Sequence, residues 1–236
     1  MIPLDLPANY PRIRVVQSFQ ELATTRFADG INALCWPRTL AGDFAEVVER
    51  LGSGEGIITL DEARLRRLPV SAAGRMAIDQ MLEDRRLLSA LDLDPVLNCI
   101  YGYPRDENPG PVPTDVFSFH ADSATVETYT WLCTYHGLPS EGLRNDEAIR
   151  RVDLPATRAE LLRLFGGPDD ATFLDWLNEH CYDLHYAPTA QARPFSFGWG
   201  NLWRIAVECP DSPVPPCIHR APESGPEHPP RLLLIS

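Results

Sequence analysis

His120 and Asp122 stand two residues apart in the stretch Val116-Phe-Ser-Phe-His-Ala-Asp122. In an extended chain alternate residues leave the backbone on the same side. An imidazole and a carboxylate therefore emerge together, as one edge of a divalent-metal site requires. The third ligand must come from elsewhere, and the candidate is His219 in Val214-Pro-Pro-Cys-Ile-His-Arg220. Two histidines and one carboxylate on one side of an ion leave the opposite positions open to small molecules. Plainer roles stand beside this one: His120 as a core histidine, and Asp122 as a turn cap.

The elements that must hold these residues read as strands. Phe117, Phe119, Tyr129, Trp131, Thr134 and Tyr135 suit a half-buried pleated surface, so 116–122 running on into 128–135 reads as a β-hairpin. Further strands are expected at 95–103, 195–207, 214–220 and 231–236. The patch Ile31-Asn-Ala-Leu-Cys-Trp36 reads as a strand or a docking segment. Asp43-Phe-Ala-Glu46 has capping-box spacing and opens a helix to about residue 51. Helices follow at 61–68 and 74–91, the latter with Met76, Ile78, Met81, Leu82, Leu88 and Leu91 as a core-facing stripe. Thr157-Arg-Ala-Glu160 is a second capping box, starting a helix to residue 165, and another helix is expected over 170–182. The chain thus reads as one domain, 1–236. Its first part, 1–94, is mainly helical support, and 95–236 is a β core interrupted by a helical insertion at 157–186. The Pro-rich loop 104–114, the turn 136–145 and the insertion are the expected walls of the site.

Composition narrows the function classes. The 236 residues include 33 acidic and 21 basic ones, every basic residue is Arg, and the net charge is −12. An acidic chain without a basic run is a poor partner for nucleic acid or for an anionic membrane surface. No run approaches the ~18 consecutive apolar residues of a membrane span. The start, Met1-Ile-Pro-Leu-Asp-Leu-Pro7, lacks the pattern of a signal peptide, so a cytoplasmic location is expected. The six cysteines are scattered and are expected to be reduced, with Cys133 and Cys217 falling on strands beside the site. Gly52-Ser-Gly-Glu-Gly56 is a loop without the Lys-Ser/Thr of a phosphate-binding motif.

Taken in order, His120, Asp122, His219 and Arg231 resemble the pattern of the non-haem Fe(II)/2-oxoglutarate-dependent oxygenases: His-x-Asp, a distal His, then an Arg shortly after it. The resemblance covers about 95–236. His219-Arg-Ala-Pro222 and Arg231-Leu-Leu-Leu234 also resemble a bacterial family of unknown function with an equivalent His-x-Asp strand. The fold it implies is α+β, a double-stranded β-helix (jelly-roll or cupin-like) core with N-terminal helices and a helical insertion.

The resemblance also assigns roles. His120, Asp122 and His219 would bind Fe(II) as the catalytic centre, Arg231 would pair with the distal carboxylate of the co-substrate 2-oxoglutarate, and O₂ would be the oxidant. Asn98, Tyr101 and Tyr103, on the strand before the Pro-rich loop, are candidates to contact the co-substrate. A carboxylate at 122 points to hydroxylation or desaturation, because halogenation needs that position vacant. The expected substrate is a small molecule or a peptide side chain. Trp131, Tyr135, Trp199 and Trp203 would suit a ring-bearing or apolar one, and would serve equally well as core. Where the pattern often has Ser or Thr two residues after the Arg, this chain has Leu233. Arg220, the competing anchor, should point away from the site if His219 points in. Arg231 could also serve only as an ion-pair partner. His136, His180, His185 and His228 lack ligand spacing and read as surface or core. Two other classes fit the same residues: a non-oxidative zinc-binding module of this fold, and a catalytically silent barrel that binds a partner through 157–186.

Overall fold

The computed structural model describes residues 6–106, 110–223 and 228–236. The N-terminal five residues and part of the expected 104–114 loop therefore lie outside the described residues. The chain opens with β1 (Ile13–Val15), α1 (Phe19–Thr24) and β2 (Ala33–Trp36). Next come α2 (Phe44–Leu51), β3 (Ile57–Thr59), α3 (Glu62–Arg67), α4 (Ala72–Ser89) and β4 (Val96–Ile100). The middle holds β5 (Phe119–His120), β6 (Tyr129–His136), β7 (Glu141–Leu143) and β8 (Ala148–Arg150). Then follow α5 (Pro155–Phe165), α6 (Ala171–Glu179), β9 (His185–Pro188) and β10 (Phe195–Ser196). The last strands are β11 (Leu202–Ala206), β12 (Ile218–Arg220) and β13 (Arg231–Ile235).

The architecture is mixed α+β. One sheet of seven strands runs β1-β2-β11-β6-β13-β4-β3, and a second of six runs β10-β7-β12-β5-β9-β8. All pairs within them are antiparallel except β1 with β2. Residues 1–94 are more than the helical support that was expected, since β1, β2 and β3 extend the larger sheet on both sides.

The larger sheet is buried on both faces, which is why the interior of β6 has no exposed residue. Its outer face, with Leu97, Trp131, Cys133, Tyr135 and Leu234, packs against the helices through Val47, Leu65, Ile78, Met81 and Leu88. Its inner face, with Leu132, Trp203, Ile205 and Leu233, meets Phe195, Phe197 and Cys217 of the smaller-sheet layer. Buried Asp84 of α4 ties the helical layer down. It takes two hydrogen bonds from Arg38, at 2.6 and 2.8 Å, and one from the Tyr135 hydroxyl at 2.7 Å. A bidentate, fully desolvated pair of this kind fixes geometry more than it adds net stability.

Local chemistry accounts for the helix ends. The side chain of Asp43 accepts from the Glu46 amide, as the capping box predicts. The Glu46 carboxylate does not reach back, however, and binds Ser71 at the start of α4. The box expected at Thr157 is absent. That helix begins earlier, with Pro155 in its first turn and no side-chain cap, and ends at left-handed Gly166 (φ 73°). In α4 the stripe holds for Ile78, Met81, Leu82 and Leu88, while Met76 and Leu91 are exposed.

The expected hairpin is not one. β5 belongs to the smaller sheet and β6 to the larger, so the segment between them crosses from one layer to the other. The expected strand at 195–207 likewise divides into β10 and β11, one in each sheet. Gly198 and Gly200, both in the left-handed region (φ 72° and 73°), turn the chain there. Of 214–220 only Ile218–Arg220 is strand. Helices α5 and α6 close over their own small core, in which Val112, Val152, Leu161, Phe173 and Leu177 are buried.

Candidate metal centre

Strands β12, β5 and β9 lie side by side, with His219 opposite His120 and His120 opposite His185. Directly opposed residues share a face, so three histidines form one row across three strands. Their ring centroids are 4.7 Å apart for His120–His219 and 5.7 Å for His120–His185. Gly142 continues the row beyond His219.

Asp122 joins the row from just beyond the end of β5. Its carboxylate oxygens stand 3.8 Å from His120 Nε2 and 3.6 Å from His219 Nε2. One donor atom from each of His120, Asp122 and His219 lies within 4.8 Å of the others. Ligand bonds to a first-row divalent ion are about 2 Å long, so one ion can touch all three. The rings are set for it. His120 Nδ1 lies 2.7 Å from the Ser118 carbonyl and His219 Nδ1 lies 3.3 Å from the Cys217 carbonyl. A ring donating Nδ1–H to a carbonyl keeps its lone pair on Nε2, the atom turned towards Asp122.

The charge states also suit ligation. Burial, followed by the neighbouring His219, pushes His120 down to about 4, so its imidazole is neutral at neutral pH. Burial by itself would raise the Asp122 carboxyl. The facing His219 and a hydrogen bond from the Thr130 hydroxyl outweigh it and hold the group below the usual carboxylate range.

A cavity of about 250 Å³ opens beside the triad, between the two sheets, and Arg231 lines its far wall. Arg231 is 2% exposed. Its guanidinium donates to the Tyr103 hydroxyl at 2.7 Å, to Ser140 Oγ at 3.0 Å and, more weakly, to Thr134 Oγ1 at 3.5 Å. Nε is buried without a partner. Among the described residues no carboxylate pairs with it. Burial pulls its pKa down, the cost of keeping a cation in a dry site without a counter-ion. Ser140 and Tyr103 supply the hydroxyl contacts that position 233 lacks, and Leu233 forms part of the apolar wall.

Other expected residues divide by strand pleat. Asn98 lines the cavity, its Oδ1 accepting from the Thr59 hydroxyl at 3.1 Å. Tyr101 does not. It follows cavity-facing Ile100 and so turns outward, where its hydroxyl donates to the Gly52 carbonyl at 2.8 Å. The co-substrate contact expected of Tyr101 is therefore withdrawn. Arg220 points away as anticipated, paired with Glu141 at 2.7 Å over the Phe119 ring. Trp131, Tyr135 and Trp203 are core, and Trp199 bonds the Gly137 carbonyl, so no aromatic site forms from these four. On β6 it is Leu132 and Thr134 that face inward, one residue out of step with the aromatics. Cys133 lies against Arg38 on the outer face, and all six cysteines are free. No described residue of 157–186 lines the cavity.

Three contributors were not foreseen: Thr130, Ser140 and His185. Alternation along Thr128-Tyr-Thr-Trp-Leu-Cys-Thr-Tyr135 does separate Thr130, Leu132 and Thr134 from the aromatic face. The local signal at His185 is Asp183, two residues before it, but its place beside His120 comes from strand pairing across 65 residues.

Comparison with protein-family models, with curated proteins and with solved structures returned no match. No described helix is long and apolar enough to cross a membrane.

Proposed function

We propose that this protein is an Fe(II)-dependent oxygenase that uses 2-oxoglutarate and O₂, and that its two sheets form a double-stranded β-helix. One observation carries the reading. A buried guanidinium with no carboxylate partner among the described residues shares a cavity with a His-Asp-His set whose donor atoms converge. A metal module needs only the triad. An uncompensated buried cation is expensive, and its presence is accounted for by an anionic ligand that arrives with its own charge.

His120, Asp122 and His219 would hold the iron, which when bound supplies, with O₂ and the co-substrate, the oxidising power that hydroxylates or desaturates a C–H position. The protein's own residues bind, orient and exclude water. Thr130 fixes the Asp122 carboxylate, and the Ser118 and Cys217 carbonyls fix the two imidazoles. Arg231, braced by Tyr103 and Ser140, meets the distal carboxylate of 2-oxoglutarate as a charge-assisted fork. Ile100, Leu132 and Leu233 keep the space between the two ends dry.

The test is anaerobic addition of Fe(II) and then 2-oxoglutarate to the metal-free protein. A weak visible charge-transfer band that requires both, and that is lost in Asp122→Ala, supports the reading. Tight Zn(II) binding with no response to 2-oxoglutarate would favour the zinc module, and no metal binding at all would leave a silent barrel.

A further inference from the structure

The charged groups of the cavity are all engaged in the reading above, and what remains of its lining has a chemistry of its own. Arg231 holds Tyr103 and Ser140, Asp122 faces the two histidines, and Asn98 is bonded to Thr59. The rest of the wall is aliphatic. Ile100, Leu132 and Leu233 are buried inside it, and Ile57 and Ile235, 48% and 37% exposed, are the most exposed of the lining residues. They come from β3, at the edge of the larger sheet, and from the end of β13. Ile57 shares the rung of Ile100 and Arg231, whereas Ile235 lies at the other end of β13, opposite Leu132 and towards the metal end. Among the described lining residues no unused charge meets a group that enters beside Ile235.

We propose that the group presented to the metal is uncharged and aliphatic, the branched end of a hydrocarbon chain or a side chain of the Leu or Ile type, entering past Ile235. An ammonium or carboxylate at that position would lose its hydration with no counter-ion left to replace it. A cavity of about 250 Å³ is below the size of those that enclose a drug-sized ligand. With 2-oxoglutarate in place it therefore admits one end of the substrate, not the whole of it. This inference rests on the oxygenase reading.

Three probes that share a hydroxyl at the outer end and differ in the end presented test it: 4-methylpentan-1-ol, 4-hydroxybutanoate and 4-aminobutan-1-ol, each titrated anaerobically into the Fe(II)·2-oxoglutarate protein. The methylpentanol should shift the visible band with an apparent Kd at least about tenfold below those of the acid and the amine, because only it escapes the penalty of burying a charge. Ile235→Asp should reverse the order in favour of the amine, while Ile235→Leu keeps that of the parent and shows that the strand tolerates replacement. A band that forms but answers equally to the charged probes, or to none of the three, overturns this proposal alone. A band that never forms overturns the oxygenase reading and this proposal with it.

Discussion

Thr130 and Thr134 lie four residues apart on the same face of β6, and their hydroxyls serve opposite ends of one cavity. Thr130 donates to the Asp122 carboxylate, and Thr134 accepts from the Arg231 guanidinium. At ~3.3 Å per residue the two positions are about 13 Å apart along the strand. A single strand thus sets the distance between the Asp122 end and the Arg231 end of the cavity.

The Thr130 contact should matter to metal affinity. Thr130→Val, which keeps the shape but not the hydroxyl, should weaken Fe(II) binding by about 10- to 100-fold, the usual cost of losing a group that orients a ligand. Thr130→Ser should restore most of it. Metal titration of the two variants checks this, and equal affinities would show that Asp122 needs no such support.

Arg231 should separate ligand binding from stability. If Arg231 holds the co-substrate as proposed, Arg231→Met removes a charge-assisted pair and 2-oxoglutarate affinity should fall by about 10- to 100-fold. The metal-free variant should nonetheless melt no lower than the parent, because an apolar side chain replaces a buried cation that has no counter-ion. Calorimetry of the metal-free proteins together with co-substrate titration reads both halves.

The histidine row predicts an acid-sensitive fold in the absence of metal. Burial holds His120 and His185 down to about 4, against 6.5 for the free side chain. Both stay neutral in the fold but take up protons in the unfolded chain below 6.5. Their contribution is therefore complete above that pH and is lost as the pH falls towards 4, at a cost on the order of 3 kcal/mol each at the low end. Urea midpoints between pH 7.5 and 4.5 should drop accordingly, and His185→Gln should flatten part of the slope.

Gly142 lies opposite His219 on β7, and a Cβ there would overlap the Phe195 and Phe197 rings. Phe197 in turn stacks on His219, with ring centroids 6.5 Å apart. Gly142→Ala should destabilise the protein by about 1–3 kcal/mol through overpacking and should weaken metal binding by shifting His219. A denaturation curve with a metal titration tests both effects, and an unchanged metal affinity would uncouple the ring stack from the ligand.

The parts of the site legible in the sequence were those written in local spacing. His120 and Asp122 needed only the period of an extended chain, and they come together although Asp122 lies beyond the end of β5. Arg231 and His219 were placed by order along the chain. The misreadings came from partners chosen across the fold. β5 and β6 are close in sequence and suit one hairpin, yet β6 is buried on both faces and takes β11 and β13 as neighbours. Trp131 and Tyr135 are large and apolar wherever they point, so composition could not say that they face the helices. His185 has a carboxylate at ligand spacing, Asp183 two residues before it, yet only cross-strand register puts it beside His120.

β13 sits inside the larger sheet, between β6 and β4, with Arg231 opposite Ile100. The strand that bears Arg231 therefore also joins β4 and β3 to the rest of the sheet. Such pairing between distant parts of a chain forms late and slowly during folding. A partly folded chain lacking β13 does not have Arg231 in the cavity wall, so a ligand held by Arg231 would bind the finished fold and no earlier species. Such a ligand would slow unfolding rather than speed folding, and protease resistance measured with and without it would report how often that one strand lets go.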